Sequence, residues 1–255
     1  APQHTGLYVR KGSEFDPAEA GSLQAAVDNL AANGRMGIGG WGLGTVPAYR
    51  LIFRERFGYD FSEGGDFDVV TSEFPTLAQL VADGDIDAGG SGPPYNLWSV
   101  KEELTPLFWN QGQVAELGFP RRSIAIGNGV SRAEYAEENP EAVAAYFGML
   151  RRANEYLRDN AASVAAESST QEILGAESAE EAQWILEFRL QADHSPNTVP
   201  ASPVDNALTE GYVEKDKQAL SQAAEMGAVP SGWEDGFDYQ VRAFDEYYEM
   251  AKSNE

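Results

Sequence analysis

The chain has 255 residues, with 18 Lys+Arg against 41 Asp+Glu and a formal net charge of −23. That length suits one large or two modest domains, at roughly 100–200 residues each. So acidic a surface repels phosphate backbones and anionic lipid heads, which argues against nucleic-acid binding and attachment to acidic membranes. Cysteine is absent and the histidines are His4 and His194. Disulfide scaffolds, thiolate metal sites and cysteine nucleophiles are thereby excluded, and histidine-based zinc sites and triads nearly so. No apolar run approaches the ~20 residues of a membrane span. Disorder also produces acidic chains, but 42% hydrophobic and 11% aromatic residues predict a packed core. The cations are 13 Arg and 5 Lys. An acid-rich, Lys-poor surface suits a salt-rich, halophilic milieu, where screening relieves self-repulsion; an ordinary acidic exported protein is the other reading.

In chain order, Gly6-Leu7-Tyr8-Val9-Arg10 reads as a strand with a turn at Lys11-Gly12-Ser13. Apolar residues at 23, 26, 27 and 30 predict a short amphipathic helix over 22–32. Met36 to Gly40 is a short apolar strand entering a glycine loop. The spacing Val46, Tyr49, Ile52/Phe53, Phe57 is helical, with Thr45 as its N-cap. Strands follow over 67–71, 86–90 and 122–127, with a helix over 75–83 that ends at Gly84. Strand–helix alternation with short connections implies an α/β unit with a mostly parallel sheet.

From about Ser131 the pattern becomes helical. Val143, Phe147, Leu150, Ala153 and Leu157 mark a long amphipathic helix over 140–160, and a second helix covers 179–192. Pro196, Pro200 and Pro203 bracket an extended link, and helices are predicted over about 204–226 and 237–252. The expected division is an α/β ligand-binding lobe over 5–135 and a helical region over 136–255. Positions 136–255 hold 24 acids and 8 bases, a balance of −16 that leaves −7 for positions 1–135.

Three segments carry binding chemistry. Gly39-Gly40-Trp41-Gly42-Leu43-Gly44-Thr45 lies between a strand and a helix; its glycines permit close backbone approach, and the N–H groups of Gly44 to Val46 at the helix start suit an anion. It lacks the Gly-Lys-Ser/Thr ending of a P-loop and the dinucleotide fingerprint; a plain tight turn is the alternative. Ser72, Glu73 and Thr76 follow a strand and come near that loop if strands 36–40 and 67–71 are neighbours; Glu73 as a first-turn helix cap is the structural alternative. A third segment runs from Asp85-Ile86-Asp87-Ala88 through Gly89-Gly90-Ser91-Gly92-Pro93-Pro94 to Tyr95 and Trp98, where small residues allow close approach and the aromatics suit a pocket wall or core packing.

The order of Gly6 to Ser13, the turn at 42–45, Asp83-Gly84-Asp85-Ile86-Asp87-Ala88, Pro94-Tyr95, the strand at 122–127 and Asn139-Pro140-Glu141-Ala142-Val143 resembles the type-2 periplasmic solute-binding proteins of ABC importers, in their nitrate/sulfonate/taurine/thiamine-precursor class. The likeness covers about residues 5–160, and order rather than any one motif carries it. Relative to that family the chain lacks the segment forming most of the N-terminal lobe, so a separate chain supplying that lobe is one expectation. The resemblance implies a non-enzymatic component without a cofactor. Gly42, Gly44 and Thr45 would cradle a negative head group, Glu73 and Ser91 would fix a polar or cationic end, and Trp41 and Tyr95 would enclose the apolar part. It also implies an ABC permease as partner and a periplasmic or extracellular location, and Ala1-Pro2-Gln3 is compatible with a start left by leader cleavage. Two alternatives stay open: a carboxylate-using lyase on the same fold, resembling menaquinone-pathway enzymes and drawing on Glu73, Asp85 and Asp87, and a split or interaction subunit without a small ligand.

Overall fold

The computed structural model describes residues 6–91, 97–117 and 132–189, together with positions 217, 218, 220–222, 224, 225, 232 and 250. The expected strand at 122–127, the link at 196–203, Tyr95, and nearly all of the predicted helices over 204–226 and 237–252 lie outside the described residues.

Five strands form one sheet: β1 (Gly6–Arg10), β2 (Arg35–Ile38), β3 (Asp68–Thr71), β4 (Ala88–Ser91) and β5 (Leu104–Trp109), in the order β3-β2-β4-β1-β5. β2 runs parallel to β3 and β4, while β1 runs antiparallel to β4 and β5. Four strands therefore share a direction and β1 opposes them. This arrangement brings the carboxyl ends of β2, β3, β4 and β5 to the edge where β1 begins. Ile38 pairs with Thr71 there, and Gly6 pairs with both Ser91 and Trp109.

Alternation along β1 sends its side chains to two cores. Leu7 and Val9 enter one cluster with α2 (Leu23–Asn33), α3 (Val46–Ile52) and the aromatic residues Phe53, Phe57, Phe61, Phe67 and Phe108. Tyr8 enters the other with α4 (Phe74–Asp83), through Leu77, Ala78 and Val81. α2 starts one residue later than the 22–32 pattern, because Ser22 is its N-cap, with Oγ accepting the Ala25 N–H at 3.0 Å. α3 continues into a π turn over Phe53–Phe57, and all the expected face residues, Val46, Tyr49, Ile52, Phe53 and Phe57, are buried. α4 stops where Gly84 takes the left-handed conformation, φ 82°.

β4 is made of small residues, and β2 has Gly37, where α4 lies almost on the sheet. A Cβ on Gly37 would come 2.7 Å from Leu77 Cδ2, and one on Gly89 would come 2.9 Å from Val81 Cγ2. No strand was expected over 104–109, where Pro106 stands. The structure accommodates it in β5, an edge strand, opposite a register shift between Leu7 and Tyr8. A missing N–H costs little at an edge and a bulge.

The helical region comprises α6 (Ala133–Glu138), α7 (Pro140–Ala165), α8 (Ser168–Leu174) and α9 (Ala179–Arg189), following α1 (Pro17–Ala20) and α5 (Asn110–Glu116) of the lobe. α7 kinks at Asn160, whose Nδ2 donates to the Tyr156 carbonyl at 2.9 Å. Ala165, Ala182 and Leu186 form a small core of their own. The region touches the lobe where the Trp184 ring meets Trp98 at 5.6 Å, and Lys101 Nζ lies 3.5 Å from the Trp98 ring centroid.

Candidate functional site

The parallel pairing of β2 with β3 makes neighbours of the two loops that the sequence singled out. The Ser72 N–H donates to the Ile38 carbonyl at 2.9 Å, extending the ladder one step past the strands. Beyond it the chain from β2 turns through Gly39 to Thr45, and the chain from β3 enters α4 at Phe74. Gly39 exists for this contact: a Cβ there would lie 2.5 Å from the Phe74 ring and 2.6 Å from Leu43 Cδ1. Gly40 has φ 142°, a conformation that favours glycine.

Gly42 and Gly44 differ in kind. Neither has positive φ, both are exposed, and a Cβ on either would meet nothing within 4 Å. The fold does not require glycine at these two positions. Trp41 is half-buried and anchored to the core, its ring 5.4 Å from Phe61.

Two local expectations need correction. Thr45 occupies the N-cap position of α3, but its backbone is already helical (φ −80°, ψ −26°) and its side chain makes no capping hydrogen bond. The Val46 N–H is not free for an anion either; it donates to the Leu43 carbonyl at 3.0 Å, and the next residue is Pro47, which has no N–H. The loop closes on itself in a tight turn, which uses one of the donors assigned to the ligand. Thr45 is nonetheless buried, 8% exposed.

Glu73 stands at the N-cap of α4 in extended conformation, exposed, with no capping hydrogen bond from its carboxylate. The Thr76 hydroxyl donates to the Glu73 carbonyl at 2.8 Å, a bond that satisfies none of the free N–H groups of the helix. With that proton committed, Ser72 Oγ is the donor in its 2.9 Å contact with Thr76 Oγ1. Glu73 is exposed, between Ser72 and Phe74, the two residues that meet the start of the glycine loop.

Ser91 ends β4 opposite Gly6, placing it on this edge. Tyr95 lies outside the described residues. Asp85 and Asp87 are not part of the site. Asp87 Oδ2 accepts the Arg35 N–H at 2.8 Å, and its own N–H donates to the Arg35 carbonyl, so both acids sit at the amino ends of β2 and β4. A four-residue strand, about 10 Å at 3.3 Å per residue, separates them from Glu73. The carboxylate grouping that a lyase would draw upon is therefore not assembled. Among the described residues no three or more His, Asp or Glu side chains are grouped to hold a metal ion.

Sequence reasoning missed the polar residues beneath the edge. Tyr49 packs on β4 where Gly90 lacks a side chain: a Cβ there would be 2.7 Å from the Tyr49 hydroxyl and 3.8 Å from Phe74 Cε1. Asn110 and Gln113 open α5 directly after β5 and are 0% and 8% exposed. Burial raises the Tyr49 phenol well above its ordinary pKa, and a hydrogen bond with the Asn110 side chain acts the other way. Tyr8, edge-on to Trp109 at 5.5 Å, is raised likewise, by burial first and by Tyr49 second. Helical spacing marked Tyr49 as core, and nothing in a single sequence separates a core tyrosine from one whose hydroxyl faces a site.

No family model and no curated protein matches the chain. Solved structures do. The periplasmic aliphatic sulphonate binding protein SsuA from Escherichia coli superposes with TM-score 0.61 at 12% identity, over 97% of this chain and 71% of that one. The periplasmic nitrate-binding protein NrtA from Synechocystis PCC 6803 gives 0.58 at 15% identity, over 98% and 65%. The sulfonate-binding SsuA from Methylobacillus flagellatus KT gives 0.52 at 14%, over 98% and 66%. The chain has the fold of periplasmic solute-binding proteins. It spans about two thirds of the length of these three, and at such identities the likeness concerns the fold. All three are binding proteins by description, and the likenesses give no support to a separate chain completing the molecule. Among the described residues no helix is long and apolar enough to cross a membrane.

Proposed function

We propose that the chain is an extracytoplasmic solute-binding component of an ABC importer, with a small anionic or zwitterionic organic solute as ligand and a membrane permease as partner. The observation that carries this reading is the pair Gly42 and Gly44, exposed glycines that the fold does not need, on a loop beside Glu73 at the carboxyl edge of the sheet. In open α/β sheets that edge is where ligands sit. Gly42, Gly44 and Thr45 receive the negative head group, Glu73 and Ser91 hold a polar or cationic end, and Trp41 with Tyr95 covers the apolar part. The same reading divides the chain into a binding lobe over 5–135 and a helical region over 136–255, and it places the protein in a periplasm or outside the cell.

An anion is compatible with a charge of −23. Local N–H dipoles act within a few ångströms, whereas the distant carboxylates are screened beyond ~8 Å at physiological salt. Titration calorimetry with nitrate, alkanesulfonates and taurine tests the assignment. Thr45→Ala is expected to weaken binding by about 1 kcal/mol, the value of one hydroxyl hydrogen bond. Glu73→Gln is expected to weaken taurine, which carries an ammonium group, and to leave nitrate unchanged or tighter. Equal effects of Glu73→Gln on both ligands contradict the role given to the carboxylate.

A further inference from the structure

One large apolar side chain at the carboxyl edge has no role in the site as described so far. Phe74 is the first residue of α4, directly after Glu73, and it is half-buried. Two glycines define the position of its ring. A Cβ on Gly39 would lie 2.5 Å from ring atoms Cδ2 and Cε2, and one on Gly90 would lie 3.8 Å from Cε1, on the opposite edge. Gly39 is the residue after β2, and Gly90 belongs to β4. These strands are neighbours in the sheet, and the chain that carries Phe74 arrives from β3 on the other side of β2. One ring therefore meets the carboxyl ends of two adjacent strands.

The ring also reaches beyond the face that α4 covers. Gly37 and Gly89 lie against α4, whereas the Gly90 position lies against Tyr49 of α3. Phe74 belongs to α4 and still approaches Gly90, so its ring lies across the end of the sheet. One part of it packs on the core of Leu77, Ala78 and Val81. The remainder is open at the edge where ligands sit in open α/β sheets. Pro75 follows and fixes the backbone of the first turn, which holds the ring in place. Trp41 packs on the core of α3 and Phe74 on the core of α4, so the two rings belong to different cores.

We propose that Phe74 is an aromatic platform of the ligand site, and that it makes the site prefer anions with an apolar body over small inorganic oxyanions. This rests on the reading of the carboxyl edge as the ligand site. A half-open ring gains by covering its apolar face with an alkyl or aryl group, which leaves water on both sides of the contact. An aryl group adds the geometric preference of ring for ring. Nitrate has no apolar surface to offer. Because the ring is already held by Gly39 and Pro75, little ordering is needed when the ligand arrives.

Three probes with one head group grade the body: methanesulfonate, butanesulfonate and benzenesulfonate. In titration calorimetry the intact chain is expected to bind butanesulfonate about tenfold tighter than methanesulfonate, from partial burial of three further methylenes. Benzenesulfonate is expected to bind about threefold tighter again, through ring contact. Phe74→Leu keeps an apolar side chain and should melt near the parent; it should retain the preference for butanesulfonate and lose the extra affinity for benzenesulfonate. Phe74→Ala, where it folds, should lose most of both preferences. A folded Phe74→Leu that keeps the full benzenesulfonate advantage overturns the proposal. An equal loss of affinity for all three probes assigns Phe74 to the fold alone and overturns it as well. Equal binding of the three by the intact chain overturns it while leaving the solute-binding reading standing. If the intact chain binds none of them, both fail.

Discussion

The α/β lobe and the helical region bury their apolar residues in different ways. In the lobe, Phe53 is fully buried with its ring 4.6–6.5 Å from those of Tyr49, Phe57, Phe61, Phe67 and Phe108, and glycines bring α4 onto the opposite sheet face. In the helical region the fully buried residues of the separate core are alanines, while Tyr135, Tyr146, Met149, Tyr156 and Ile173 are 45–84% exposed. Large aromatics contribute most to burial, and each brings 150–250 Å². Large aromatic burial is thus concentrated around the sheet, whereas the separate core among the described helices is built on small side chains.

The largest expected effect follows from that contrast. Phe53→Ala should cost about 3–5 kcal/mol, because one cavity would open beside five rings. Leu186→Ala, in the thin helical core, should cost about 2 kcal/mol, at the lower end for a buried leucine. Denaturant melts measure both; equal losses break the comparison.

Next in size is a contrast within the lobe. Gly89→Val drives a side chain into Val81 and the Leu77 carbonyl and should cost about 1–3 kcal/mol by overpacking. Gly42→Ala meets nothing and should change stability by less than about 0.5 kcal/mol.

Alkali gives a smaller, graded effect. Tyr8 and Tyr49 have raised pKa values in the folded state. Below the ordinary phenol value of about 10 both states keep the proton, and pH has no effect through these groups. Above it the unfolded chain loses protons that the folded lobe retains, so stability should fall as pH rises. Melts across that range check it, and Tyr49→Phe should remove part of the slope.

The smallest effect expected is from salt. With 41 acids and 18 bases, at least 23 acids have no cation to pair with, and the halophilic reading predicts a melting midpoint that rises from low to molar NaCl as the Debye length falls from ~10 Å to ~3 Å. A flat midpoint would mean that the fold already spaces its charges.

Much of the lobe was legible because its elements declare themselves locally. The strand at Gly6–Arg10, the helix near 22–32, the face Val46 to Phe57 and the stop at Gly84 depend on periodicity and on single turning residues. β5 was not legible: a proline in a strand is acceptable only at an edge with a bulge, and edge status is a property of the whole sheet. The site was readable in its outline, since the neighbouring of β2 and β3 brings the glycine loop to Glu73. Its donors were not, because whether the Val46 N–H is free depends on how Leu43 turns.

The central claim is that the exposed glycine turn at the carboxyl edge is a ligand site rather than a plain turn. Thermal melts of the intact chain and of Gly44→Val, with and without saturating sulfonate probes, test it most directly. The Gly44 position is open and its φ is ordinary, so the variant should melt like the parent without ligand. At a hundredfold excess over Kd a ligand stabilises the folded state by about 2.7 kcal/mol; the parent should show that upward shift and Gly44→Val none. The same shift in both proteins, from a variant that folds normally, contradicts the claim and places the ligand elsewhere.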